Sequence, residues 1–312
     1  MNTADRPVRL ALVGIGKIAR AQHVPALRAD PRYDLRATVS RHGAIDGIQA
    51  FPDLDALLTS GIPLDAISLC TPPQGRDVLA VKAIDAGLHV MLEKPPGTSV
   101  AAVLDLKDRA QRAGVSLFAS WHSRAAAAVE SAQQWLVGRR IDRVRATWKE
   151  DIRVWHPGQD WILEAGGLGV FDPGINCLSI LTRILPGSMH VRSAILAVPD
   201  NRSAPIAATL QLAYEGESRV DAQFDFLHPG EPCWNIEIVT DSGTALLSHG
   251  GQIFSVDGRQ LHAGENHEYR ELYARFSALI AARDSDVDVR PLQHVADAFL
   301  IGRWRTAPSF QF

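Results

Sequence analysis

The chain has 312 residues, of which 46% are hydrophobic and 21% charged, and its formal net charge is −3. That length accommodates two domains of ordinary size, with a composition typical of globular proteins. The charge balance offers no basic field for a phosphate backbone, which argues against nucleic-acid binding, and no apolar run reaches the length of a membrane span. The opening Met1-Asn2-Thr3-Ala4-Asp5-Arg6-Pro7 is polar and resembles no signal peptide. Cys70, Cys177 and Cys233 are odd in number and widely spaced, which suits free thiols better than a disulfide or zinc framework. A cytoplasmic protein is expected, without nucleic-acid or membrane partners.

Val8 to Val13 is a short apolar run with the length of a buried parallel strand. Gly14-Ile15-Gly16-Lys17-Ile18-Ala19 follows, and a helical pattern continues through Val24, Leu27 and Ala29 until Pro31. This is the G-x-G-x-x-G/A spacing of a dinucleotide-binding turn. Gly14 permits the tight turn, Gly16 lets backbone approach a pyrophosphate, and Ala19 allows close helix–strand packing. Gly14, Gly16, Lys17 and Ile18 are therefore candidate cofactor contacts at a helix N-terminus. A turn with no ligand is the competing reading, weakened by the strand before it and the helix after. A second strand, Leu35 to Val39, ends at Ser40-Arg41-His42. No acid stands at positions 40 to 43 to take the ribose 2′-hydroxyl of NAD, whereas an arginine accommodates a 2′-phosphate. Ser40 and Arg41 thus favour NADP over NAD, against the alternative of a polar loop that says nothing about the cofactor.

Asp65 to Cys70 is the third strand and opens on Thr71-Pro72-Pro73, where prolines fix a rigid turn. A helical stretch from about Gln74 to Ala86 precedes Gly87, and His89 to Leu92 is a strand running into Glu93-Lys94-Pro95-Pro96. Ligands in open α/β sheets bind beyond such strand ends, which makes Lys94 a candidate for chemistry. A helix over Val100 to Ala113 and a strand over Ser116 to Ser120 lead to Trp121-His122-Ser123-Arg124. Strands alternating with helices predict a doubly wound parallel sheet, a Rossmann dinucleotide-binding domain over residues 1–124.

The pattern then changes. A helix around Ala125 to Leu136 gives way to strand-like segments at Val144–Trp148, Val191–Val198, Ala207–Tyr214, Ser218–Phe226, Asn235–Val239 and Thr244–Leu247. Turn residues such as Glu215-Gly216, His228-Pro229-Gly230 and Asp241-Ser242-Gly243 separate several of them, as in antiparallel hairpins. Helices are predicted near Asp172 to Leu185, Glu268 to Ala282 and Leu292 to Arg305. Residues 125–312 are thus expected to form an α+β domain on one large, mostly antiparallel open sheet.

With these motifs placed, the chain resembles the Gfo/Idh/MocA family of nicotinamide-dependent sugar oxidoreductases over nearly its whole length. Thr71-Pro72-Pro73 corresponds to the family's Thr-Pro-Asn turn, and Ala86-Gly87-Leu88-His89-Val90 leads into Glu93-Lys94-Pro95. Gly166-Gly167-Leu168-Gly169-Val170-Phe171-Asp172-Pro173-Gly174-Ile175-Asn176 matches the second-domain motif of glycines followed by D-x-G-x-H. Arg76 stands where many members have histidine, and Asn176 replaces the motif's histidine. Trp148-Lys149-Glu150-Asp151 and Trp155-His156-Pro157-Gly158-Gln159-Asp160-Trp161, taken with Asp172–Asn176, resemble a bacterial subgroup that oxidises the anomeric carbon of D-galactose or L-arabinose to the lactone. The resemblance implies NADP or NAD as cofactor, with Thr71, Pro72, Glu93 and Lys94 among its contacts. It also implies a cis bond before Pro95, Glu150 as a sugar contact, and a homodimer formed through the large sheet.

Oxidation of a sugar hemiacetal at C1 requires a proton acceptor, donors that fix the sugar, and a dry cleft. Lys94 would accept the proton as an amine or polarise the oxygen as an ammonium; a lysine reaching to solvent from a strand end is the alternative. Asp172 before Pro173 is equally what helix N-cap and N1 positions prefer. Asn176 lies one helical turn on, with an amide suited to a sugar hydroxyl but unable to act as acid or base. The resulting expectation is that Asp172 takes the C1 hydroxyl proton, Lys94 orients that oxygen, and Asn176 holds the sugar. His122, Glu150, Trp155, His156 and Trp234 are further candidate sugar contacts, although tryptophan is more often packing. No metal site is expected, because the histidines lack H-x-x-x-H or Cys/His spacing. The expected activity is NAD(P)-dependent oxidation of an aldopyranose, D-galactose or L-arabinose, at C1. The alternatives are another aldose such as D-xylose or D-glucose, another sugar carbon, or a non-catalytic NAD(P)-binding sugar sensor.

Overall fold

A computed structural model describes residues 6–41, 43–215, 218–265 and 267–312. The opening pentapeptide, His42 of the loop after the second strand, and Gly216 of one expected turn lie outside the described residues. The chain divides into two compact units, Met1–Trp121 with Tyr269–Val289, and His122–Glu268 with Arg290–Phe312.

The first unit is built on six parallel strands: β1 (Val8–Val13), β2 (Tyr33–Val39), β3 (Gln49–Phe51), β4 (Ala66–Leu69), β5 (His89–Glu93) and β6 (Leu117–Ser120), in the order β3-β2-β1-β4-β5-β6. The order reverses at β1 and β4, the switch point where open α/β sheets bind ligands. Strands β4 and β6 are buried at every position, as expected when helices cover both faces of a parallel sheet. On one face, α2 (Leu54–Thr59), α3 (Arg76–Asp85) and α4 (Val100–Ala113) bring Leu57, Ala80, Ile84, Leu106 and Ala110 against Val13, Val39, Ile67 and Leu92. On the other, α1 (Val24–Ala29) is joined by α8 (Glu268–Ala282), far along the chain, whose Leu272, Tyr273, Phe276 and Leu279 pack with Leu10, Met91 and Phe118. Ser99 caps α4 by accepting from the Ala102 amide, and Gly114 ends it in the left-handed conformation. The helix after the glycine turn begins with a π-helical turn, Ala19–His23, that carries His23 into the interior. Such turns are often found at functional sites.

The second unit carries a nine-stranded sheet of β7 (Ile141–Lys149), β8 (Met189–Pro199), β9 (Ala207–Tyr214), β10 (Arg219–Asp225), β11 (Cys233–Thr240), β12 (Gly243–Ser248), β13 (Ile253–Val256), β14 (Arg259–Ala263) and β15 (Arg303–Ala307). Its order is β14-β13-β12-β11-β7-β10-β9-β8-β15, antiparallel except for β7 with β10 and β8 with β15. The expected α/β unit followed by a mostly antiparallel α+β unit is therefore what the chain forms. Alternation along β7 buries Val144, Ala146 and Trp148, and Glu150 continues the same face just past the strand end. Helix α7 (Phe171–Ile184) lies close on this face, since a Cβ on Gly174 would sit 3.1 Å from the Phe224 ring. The terminal helix corrects the sequence reading: α9 (Arg290–Ile301) stops before Gly302, and Arg303–Ala307 pairs with β8 instead of continuing to Arg305 as helix. A side chain at 302 would collide with the Ala298 carbonyl, and the edge of β8 offers a full row of main-chain partners.

Candidate active site

The carboxyl ends of β1, β2, β4 and β5 collect the residues expected to hold a nucleotide. Gly14 sits at φ +90°, and a Cβ there would be 2.8 Å from the Thr71 amide nitrogen, so the turn after β1 closes directly onto the end of β4. A Cβ on Gly16, in contrast, would meet nothing within 4 Å. The backbone at the helix start is thus open around Gly16, as the close approach of a pyrophosphate would require, with Lys17 and Ile18 exposed beside it. Thr71 adds a buried hydroxyl, Oγ1, without a hydrogen-bond partner, as a ligand-facing group would. Ser40 follows β2 with its amide donating to the Phe51 carbonyl at 3.0 Å; Arg41 beside it is exposed, as is Pro72 after Thr71. These residues fit a dinucleotide.

Lys94 follows β5, and its bond to Pro95 is cis. Glu93 is 4% exposed and turned into the unit. Its Oε2 accepts the Lys94 amide at 2.7 Å; Oε1 accepts the Tyr269 hydroxyl at 2.7 Å and lies 3.1 Å from His23 Nε2. His23 Nδ1 in turn meets the Tyr273 hydroxyl at 2.8 Å. Burial pushes the Tyr273 phenol well above its ordinary range, so it remains a proton donor. The guanidinium of Arg76, buried at the start of α3, donates to the carbonyls of Thr71, Glu93 and Pro95. One buried cation thereby ties together the loops that follow β4 and β5. Desolvation, with the Glu93 charge adding to it, pushes the neighbouring Cys70 thiol up and keeps it protonated.

In the second unit, a different set converges on the buried face of the sheet. Asp151 accepts from the Arg153 amide at 2.9 Å and caps the short helix α6 (Ile152–Trp155), so the chain turns sharply after Glu150 and returns His156 toward it. His156 Nε2 lies 3.0 Å from Glu150 Oε1, and Trp234 Nε1 donates to Glu150 Oε2 at 2.9 Å. His156 Nδ1 faces Asp172 Oδ2 at 3.9 Å. Both carboxylates are buried, Glu150 at 3% and Asp172 at 4% exposure. Trp155 meets Trp234 edge to face at 4.8 Å and stays partly exposed.

Asp172 is the second residue of α7. Val170 occupies the cap position without a side-chain capping bond, so N-capping does not account for the aspartate. Gly169, at φ +56°, makes the tight entry to that helix, where any Cβ would strike the Pro205 carbonyl. Asn176 lies one turn further along the same helix. The structure therefore brings together Glu150, His156, Asp172 and Trp234. His122 is held by a different carboxylate, with Nδ1 2.6 Å from Glu268 Oε2. Sequence reasoning missed His23, Tyr269, Tyr273 and Glu268. Only the pair Tyr269 and Tyr273 carried a signal, four residues apart on one helix face.

A Rossmann sheet with a glycine turn at its switch point, followed by a large sheet carrying buried carboxylates, defines a class of two-unit nucleotide-dependent oxidoreductases. Residues 8–120 match the model of an oxidoreductase family with an NAD-binding Rossmann fold. The chain is 44% identical to a galactose 1-dehydrogenase of Pseudomonas fluorescens over 298 residues, 95% of this chain and 96% of that one. The solved structure of a D-galactose-1-dehydrogenase from Rhizobium etli superposes with a TM-score of 0.94 at 48% identity, covering 98% of both chains. A 3-ketoreductase from Actinomadura kijaniata, solved with NADP and TDP-benzene, shares the fold at a TM-score of 0.84 and 18% identity, over 97% of this chain and 100% of its own. The chain belongs to the Gfo/Idh/MocA oxidoreductase family. Among the described residues, no helix is long and apolar enough to cross a membrane.

Proposed function

We propose that the protein oxidises D-galactose at C1 to the lactone, using NADP in preference to NAD. The observation that carries the reading is the buried Asp172 carboxylate at the start of α7, with His156 and Glu150 gathered beside it. The similarity to two galactose dehydrogenases over almost the entire chain supports the substrate. A bound nicotinamide supplies the acceptor for the hydride leaving C1. The protein's own part is to remove the hydroxyl proton and hold the sugar. Asp172 accepts the C1 hydroxyl proton, Lys94 orients that oxygen, and the Asn176 amide donates to or accepts from a sugar hydroxyl. Trp155 and Trp234 present ring faces and edges to sugar C–H groups, with His122 and Glu150 as further polar contacts.

Ser40 and Arg41 at the end of β2 support NADP, since no acid there takes a 2′-hydroxyl. The nucleotide function is assigned to residues 1–124, and substrate binding and dimerisation to residues 125–312. A homodimer through the face of the large sheet opposite its helices is part of the proposal, because an open sheet of this size is ordinarily covered. Light scattering tests it, and a monomer overturns it. A cytoplasmic location rests on Cys70, Cys177 and Cys233, all free thiols.

The deciding experiment is a panel of D-galactose, L-arabinose, D-xylose and D-glucose with each cofactor, followed at the reduced-nicotinamide absorbance band. The highest kcat/KM is expected for D-galactose with NADP. Cofactor binding without turnover of any aldose would favour a sensor.

A further inference from the structure

We infer that His156 is a positioning and proton-relay residue that acts through Asp172, held for that task by Glu150 and Trp234. The inference rests on the reading of Asp172 as proton acceptor. A carboxylate that is 4% exposed must pass its proton on before the next turnover, and Asn176, on the same helix face, has no titratable group to receive it. His156 reaches Asp172 from a separate segment of the chain.

Its hydrogen bonds assign its two nitrogens. The Trp234 indole N–H can only donate, so Glu150 Oε2 is an acceptor at 2.9 Å. With Glu150 as a carboxylate, Oε1 likewise accepts, and His156 Nε2 is the nitrogen that carries hydrogen across the 3.0 Å contact. A neutral imidazole then has its lone pair on Nδ1, the nitrogen aimed at Asp172 Oδ2. The distance of 3.9 Å is too long for a hydrogen bond, and a small side-chain rotation or one bridging oxygen closes it. The ring cannot swing freely. The Phe226 ring lies against it at 5.6 Å, and the His156 amide is bonded to the Ile152 carbonyl at 2.8 Å. The side chain nevertheless keeps 19% of its surface exposed, against 6% for Asp172, so it is the member of the pair with a path to water.

The relay moves one proton and no electrons. The C1 hydroxyl O–H bond breaks as an Asp172 O–H bond forms. That bond breaks in turn as Nδ1–H forms, leaving Asp172 ionised again and an imidazolium between two carboxylates. Nδ1 then releases the proton to water, restoring the starting tautomer.

The test combines turnover with a measurement that needs neither sugar nor cofactor. In His156→Ala, kcat for D-galactose is expected to fall by roughly 100-fold, the low end of the range for acid–base assistance, while the sugar KM changes by less than about threefold. Added imidazole is expected to restore part of the kcat. Histidine ¹⁵N spectra of the wild type, assigned by loss of one signal in His156→Asn, are expected to show the Nε2–H tautomer, and Glu150→Gln to disturb it. A raised KM with kcat unchanged would overturn the relay, leaving His156 as a sugar contact alone. So would the Nδ1–H tautomer in the wild type, or a kcat in His156→Ala that does not respond to imidazole. A wild type that oxidises no aldose yet shows the Nε2–H tautomer overturns the proposed function and not the assigned hydrogen-bond geometry.

Discussion

The Tyr269 hydroxyl donates a 2.7 Å hydrogen bond to Oε1 of Glu93, joining the first turn of α8 to the last residue of β5, just before Lys94. The two residues are 176 positions apart in sequence. The same carboxylate takes the Lys94 amide on its other oxygen, so a helix near the end of the chain helps set the backbone from which Lys94 projects.

Tyr269→Phe leaves the ring packed in the core and removes only the hydroxyl. Hydrogen bonds to charged groups contribute about 1.5–3 kcal/mol, and a loss of that order is expected here because Glu93 is too buried for water to replace the donor. Urea unfolding with an unchanged slope and a lowered midpoint is the expected result. An unaltered midpoint would show that the bond contributes nothing to stability.

Arg76 serves three carbonyls from one buried guanidinium. Arg76→Ala strands those acceptors, and a loss on the order of 3 kcal/mol is expected, with weakened cofactor binding as the loops after β4 and β5 relax. Lysine carries charge but no planar fork, so Arg76→Lys is expected to recover only part of the stability. Thermal unfolding and cofactor titration by intrinsic fluorescence read both effects. Full recovery by lysine would show that charge alone suffices.

The two glycines of the first turn are expected to fail differently. Gly14→Ala forces a side chain onto the Thr71 backbone at positive φ, and a stability loss of about 1–3 kcal/mol is expected. Gly16→Val places its side chain in open space, so the unfolding midpoint should hold while NADP affinity drops by at least about tenfold, ~1.4 kcal/mol. Calorimetric titration of the folded variant checks it, and wild-type affinity in Gly16→Val would remove the pyrophosphate from this site.

Acid lability is expected to involve Asp65. Burial works to raise its carboxyl, but the guanidinium bonds of Arg6 at 2.7 Å and Arg9 at 2.8 Å outweigh that and hold it well below the usual carboxylate range. A carboxyl depressed in the folded state contributes stability that is fully present above its unfolded value, about 3.9, and is lost as pH falls toward the folded value. Asp65→Asn should therefore cost on the order of 1 kcal/mol at neutral pH, allowing for solvent screening at this partly exposed site. The difference from wild type should close as pH falls below about 4. Unfolding midpoints across pH 2–7 would show a constant difference if the pairing were immaterial.

Much of the first unit was legible in the chain itself. The run Val8–Val13, the spacing Gly14-x-Gly16 and the rhythm of strand and helix each follow from local rules, and the helix over Val100–Ala113 starts at a serine cap and stops at a glycine as its signals indicate. The second unit was legible in type but not in extent. The hairpin of β13 and β14 was missed because Arg259–Ala263 is exposed throughout and carries no alternation. The start of the last strand, Arg303–Arg305, reads as a helix end in sequence because its pairing partner lies on β8, more than a hundred residues away.

The site divides along the same line. Sequence by itself singled out the groups that follow the strands of the first unit, the glycine turn and Lys94, and the aspartate at the start of a later helix, Asp172. It also indicated that Asn176, one turn from Asp172, cannot serve as an acid or base. Only the tertiary structure decided that His156 stands between Asp172 and Glu150, that Trp234 fixes the outer carboxylate, and that Tyr269 and His23 hold Glu93. The physical reason is that strand and turn preferences act over a few residues and leave a local imprint. A buried carboxylate has to be satisfied by whatever donors the fold brings within about 3 Å, and their distance along the chain leaves no such imprint.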